Sequence, residues 1–228
     1  MKRILGMGLA LVSLAALSIG VISATAGSSA SAAAGSTMQS HATHTTKAAT
    51  LTKADLRVTL NRLLGEHAAL AMNATNLGYT GSPSFNAAAK ALDRNSVDLS
   101  KAIGSIYGAK AAKAFLDGPF MWRAHVNFFV DYTVALAKKN KAGQNKAVAN
   151  LKTYTVKHGD FLATATGLPK TAVRNDLLAH VLELKGQLDA YAKGDYTKAG
   201  ALYREAYAHM FMTGDLLAGA IAKQKNLR

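Results

Sequence analysis

From Leu51 onward, apolar positions recur at alternating spacings of four and three residues. That is the period of a helix with one buried stripe. The first such run is Leu56, Leu60, Leu63, His67, Leu70, Ala74, Leu77. Thr52 stands as its N-cap with Asp55 three residues on, a capping-box start, and Gly78 to Pro83 ends it. A second helix runs from Ser84 to near Gly108 with Phe85, Ala89, Leu92, Leu99, Ile103 and Ile106 on its stripe. A short amphipathic piece, 109–116, stops at Asp117-Gly118. Pro119 is placed to open a third helix carrying Trp122, Val126, Phe129 and Leu136. The fourth presents Ala147, Leu151, Tyr154, His158, Phe161 and Ala165. The fifth presents Val173, Leu177, Val181, Leu184, Leu188 and Tyr191. The sixth presents Leu202, Ala206, His209, Thr213 and Leu216, and is expected to fray after Lys223. Sustained two-residue alternation, the mark of a strand, is absent. The pattern predicts an all-α chain, an antiparallel up-down bundle of about six helices of roughly 22–26 residues each.

Those helices pair into three hairpins of related sequence. Leu64-Gly65-Glu66-His67-Ala68, Trp122-Arg123-Ala124-His125-Val126 and Leu178-Ala179-His180-Val181 open comparable stretches of the odd-numbered helices. Lys157-His158-Gly159-Asp160-Phe161-Leu162 matches Met212-Thr213-Gly214-Asp215-Leu216-Leu217 on the even ones. Such spacing predicts three copies of a helical hairpin.

The N-terminal 50 residues follow another pattern. Lys2 and Arg3 precede an apolar stretch from Ile4 to Ile22, and Ala30-Ser31-Ala32 and Ala32-Ala33-Ala34 offer small-x-small cleavage sites. Residues 1–34 read as a secretory signal peptide, with retention as an N-terminal membrane anchor as the alternative. Residues 35–50 read as a Ser/Thr/Ala/His-rich leader containing His41 and His44, and 51–228 as the bundle domain. The expected location is therefore extracellular, at or near the cell wall.

Charge extends that picture. The 228-residue chain has 27 Lys+Arg against 13 Asp+Glu, and without Lys2 and Arg3 the balance is 25 to 13, a formal +12. Between Asp131 and Asp160 there is no acidic residue, while Lys138, Lys139, Lys141, Lys146, Lys152 and Lys157 gather around the third-to-fourth turn. A face of that kind suits anionic cell-wall polymer or a membrane surface. Only Tyr154 falls among these lysines and no nucleic-acid motif is present, so a specific nucleic-acid partner is not expected.

Candidate chemistry rests on the histidines. The chain has no cysteine, which excludes thiolate metal sites, iron–sulfur ligation and a thiol nucleophile. Five of its seven histidines fall in helices: His67, His125, His158, His180 and His209. If the odd-numbered helices run parallel, their histidines approach one level of the interior. Imidazole ligates copper, zinc or haem iron, and the neighbouring Met210 and Met212 add thioethers that favour copper. The candidate ligand set is thus His67, His125, His158, His180, His209, Met210 and Met212, with copper or haem as the group bound. Only three glutamates occur, too few for a carboxylate-bridged di-iron centre. His-Glu-x-x-His, Gly-x-Ser-x-Gly and phosphate-loop motifs are absent. Asp131, Asp160 and Asp215 are the residues an acid–base hydrolase or isomerase would use, but nothing in the sequence pairs them. The reading leans to a non-catalytic binding protein, with wall adhesion through the lysines as the alternative.

The phrases Leu63 to His67, Met121 to Tyr132 and Tyr207 to Asp215 resemble a helical domain of secreted Gram-positive proteins labelled copper amine oxidase-like, over about residues 52–225. The resemblance implies a secreted helical module. It does not carry oxidase activity here, because the β-rich domain and the Asn-Tyr setting of a modifiable tyrosine are both missing from this chain.

Overall fold

A computed structural model describes residues 51–228. The predicted signal peptide, the leader and its His41/His44 pair lie outside the described residues. Seven helices follow one another: α1 Lys53–Tyr79, α2 Phe85–Tyr107, α3 Ala109–Leu116, α4 Trp122–Ala137, α5 Lys141–Thr166, α6 Lys170–Ala192 and α7 Tyr196–Lys225. The fold is an all-α helical bundle.

Local chemistry sets the boundaries. In α1 the Thr52 hydroxyl accepts from the Asp55 amide, while the Asp55 carboxylate accepts from the Thr52 amide at 3.1 Å. Asn140 caps α5 and Asp195 caps α7. Gly167 closes α5 in the left-handed conformation, φ +75°. Two expectations need correction. Pro119 does not open a helix: the Met121 amide donates to Gly118 oxygen at 3.3 Å, so Pro119 occupies a turn and α4 begins at Trp122. The long helices are also less uniform than predicted, because α4 has 16 residues and α7 has 30. The turn consumes what would have been the first turn of α4. Continued burial of Leu217, Ala218, Ile221 and Ala222 carries α7 on to Lys225.

Helix α1 is the hub. It packs along α2 and α7 and faces α4 and α6. Its contacts give the directions. The Lys53 amide donates to Arg228 oxygen at 2.8 Å, so α1 and α7 are antiparallel. His67 lies beside His180, and Asn76 meets Gln187, so α1 and α6 run parallel. His67 and His125 adjoin, and Gly78 lies against Thr133, so α4 runs the same way. The hairpins α1–α2, α4–α5 and α6–α7 therefore present their first helices in common register, with α3 as an extra piece between the first two. Leu56, Leu60, Leu63, Leu99, Phe115, Leu151, Leu162, Leu177 and Ile221 form one core around this arrangement. At one point α1 and α7 come unusually close: a Cβ at Gly214 would run into the Asn61 side chain. Among the described residues, no helix is long and apolar enough to cross a membrane.

Candidate metal centre

The parallel course of α1, α4 and α6 has a direct chemical result. Each contributes one imidazole to the same point in the core. His67, His125 and His180 are 0%, 1% and 2% exposed, and one ring nitrogen from each lies within 4.8 Å of the others. His67 Nε2 and His125 Nε2 are 3.3 Å apart. An ion bound tetrahedrally at about 2.0–2.1 Å separates two nitrogens by roughly that length. His67 Nδ1, His125 Nδ1 and both nitrogens of His180 are buried without a protein partner. Buried polar groups are rarely left so. Here the two nitrogens that face one another, His67 Nε2 and His125 Nε2, have only each other.

Burial disfavours the charged ring. It holds all three imidazoles well below the usual histidine pKa, and their nearness to other histidines lowers them further. Each therefore presents a neutral ring, the form that ligates metal. The surroundings are aromatic and apolar. Trp122 lies 4.7 Å from the His67 ring and 4.8 Å from His125, centroid to centroid, and Tyr154 stacks on His125 at 4.5 Å. Two cavities of about 30 Å³ border the cluster. One is lined by His67 and His125, the other by His180, Met210 and Thr213.

The remaining candidates are placed elsewhere. His209 is 6.5 Å from the His180 ring, and both its nitrogens are committed: Nδ1 to Glu183 at 2.8 Å and Nε2 to Asp176 at 3.2 Å. Those carboxylates lift its pKa to about 9, Asp176 contributing most. Thr213 also donates to Asp176, at 2.9 Å. Met210 is buried beside His180, but Met212 is 63% exposed on the outer face of α7. His158 is buried on the far side of Tyr154, its ring 5.1 Å from that phenol ring, and burial drops its pKa to about 3. Its Nδ1 lies 3.4 Å from Met121 Sδ.

Lys138, Lys139, Lys141, Lys146, Lys152 and Lys157 are all exposed, around the α4–α5 turn and along the outer side of α5. Lys139 holds a left-handed backbone, φ 56°. The three aspartates are not paired with one another: Asp160 and Asp215 bind Arg174 and Arg57, and Asp131 is exposed.

Asp176 and Met121 carry contacts that sequence reasoning did not single out. Asp176 reaches His209 and Thr213 across to α7, a contact that spacing within α6 does not mark. Met121 sits in a turn, where no periodicity marks it. Comparison with family models, curated proteins and solved structures returns no match for this chain.

Proposed function

We propose that this is an exported, non-catalytic helical-bundle protein that holds one copper ion, as Cu(I), between His67, His125 and His180. The observation that carries the reading is the meeting of three buried, neutral imidazoles: four of their six ring nitrogens have no partner among the described residues, and His67 Nε2 and His125 Nε2 have only each other. Copper is preferred to other imidazole-binding ions on charge. The three ligands are neutral and the pocket is apolar, and the Born cost of burying an ion rises with the square of its charge, roughly fourfold from Cu(I) to a dication. The adjacent His209⁺, Asp176⁻ and Glu183⁻ group sums to one negative charge, which suits one added positive charge nearby. The bordering cavities, about 30 Å³ each, match a water or an ion rather than a porphyrin, so copper is carried forward over haem. The proposal rests on this geometry and not on the family resemblance.

The test is anaerobic titration of Cu(I) against a chromogenic competing chelator. Wild-type protein should withdraw copper from the competitor, and the His67→Leu/His125→Leu variant should lose its tightest-bound ion. Equal retention by both would overturn the reading.

The lysine-rich face supports a second reading, adhesion to anionic wall polymer or membrane. Its specific support is Lys139, which keeps a long charged side chain at a left-handed position that Gly or Asn would fill at lower cost. Salt-dependent sedimentation with wall polymer separates this reading from copper binding.

A further inference from the structure

We infer that Met121 and His158 form a second, soft-donor site for a monovalent ion, Cu(I), beside the three-histidine cluster and on its outer side. This deepens the copper reading and rests on it. Three observations carry it. First, the donors already meet: His158 Nδ1 and Met121 Sδ are 3.4 Å apart. An ion with nitrogen at about 2.0 Å and sulfur at about 2.3 Å spans close to that distance between two tetrahedral vertices. Second, His158 is fully buried, and among the described residues the Met121 sulfur is the one partner of either ring nitrogen, Nε2 on the other side of the ring having none. Third, the turn carrying Met121 is built to hold it there. Gly118 has φ +151°, and a Cβ on it would come within 2.8 Å of Met121 Cγ, so only glycine lets the thioether lie back over α5. The turn is tied down by Arg123, which donates to Asp117 at 2.7 Å and to Asp93 at 2.8 Å.

Thioether plus imidazole is a soft pair that selects Cu(I) over hard cations. Aromatic walls reinforce this. Phe115 and Tyr154 lie 5.1 Å and Phe161 5.8 Å from the His158 ring, centroid to centroid. They offer π-faces to a weakly hydrated monocation and no anionic oxygen to a dication. The two sites are separated by a single ring layer, because Tyr154 stacks on His125 at 4.5 Å and on His158 at 5.1 Å. Met121 is only partly buried, whereas the three histidines are enclosed. The pair is therefore an outer station that takes Cu(I) from a carrier or from solution and passes it to the deeper site.

The experiment is anaerobic Cu(I) stoichiometry on wild type, Met121→Leu and His67→Leu/His125→Leu, with ¹³C-methyl methionine NMR on the same samples. Leu for Met conserves volume, and thermal melts confirm folding. The expected result is two Cu(I) bound by wild type and one by each variant, with the Met121 methyl signal shifted in the double-histidine variant. Equal uptake by wild type and Met121→Leu, or an unmoved Met121 signal, overturns the second site. In that case copper still lost from the double-histidine variant leaves the three-histidine reading standing. No uptake by wild type overturns both.

Discussion

The three-histidine cluster makes an unusual demand on the metal-free protein, and His180→Leu exposes it. His180 is 2% exposed and neither ring nitrogen has a partner. Leaving a buried polar atom unsatisfied costs about 1–3 kcal/mol. Two such atoms at the low end give about 2 kcal/mol. Leu fills similar volume beside Leu60, Leu64 and Met210, and the change of shape returns less than about 1 kcal/mol of that gain. Metal-free His180→Leu should therefore be more stable than wild type by about 1–2 kcal/mol. For a domain of this size that raises Tm by roughly 3–6 °C. Copper should reverse the order: a ligand at a hundredfold excess over Kd adds about 2.7 kcal/mol to the protein that binds it. Differential scanning calorimetry with chelator and then with Cu(I) reads both signs. A metal-free variant that melts below wild type would refute the reasoning, because His180 would then be a satisfied core residue.

His209 gives a pH signature. Its folded pKa, about 9, stands above the unfolded value near 6.5, so the stability it contributes is fully present below pH 6.5 and fades as pH rises through 9. The loss should be on the order of 1–2 kcal/mol after solvent screening, and His209→Gln should flatten urea midpoints measured from pH 6 to 10. Gly214→Ala should destabilise by about 1–3 kcal/mol, since the new methyl strikes Asn61 and disturbs its 2.7 Å bond to Asp215. A gain of about 1 kcal/mol, the usual result in a helix interior, would contradict the close α1–α7 approach. Lys139→Gly should stabilise by about 0.5–1 kcal/mol in thermal melts while weakening retention on anionic vesicles. Unchanged retention would remove the second functional reading.

The stripes of Leu60, Leu63, Leu151 and Leu177 were legible because spacing alone decides which face of a helix is buried, and these residues are buried. Common register of the odd-numbered predicted helices was also readable, since short connections alternate direction and return every second long helix to the same sense. The partition of the histidines was not. His158 and His209 occupy stripe positions like His67, yet one meets a thioether from a turn and the other is held by two carboxylates of α6. Those outcomes depend on which elements pack side by side and at what height, which periodicity within one helix does not encode. Pro119 misled for a related reason. A proline suits position two of a turn as well as the first turn of a helix, and the Gly118 conformation chose the turn.

The most direct test of the central claim is X-ray absorption at the copper edge on Met121→Leu protein carrying one equivalent of Cu(I). The three-histidine centre predicts three imidazole nitrogens at about 2.0 Å, with the outer-shell scattering of intact rings, and its collapse in His67→Leu/His125→Leu. A shell dominated by oxygen or sulfur, or a spectrum that the histidine substitutions leave unchanged, would contradict it.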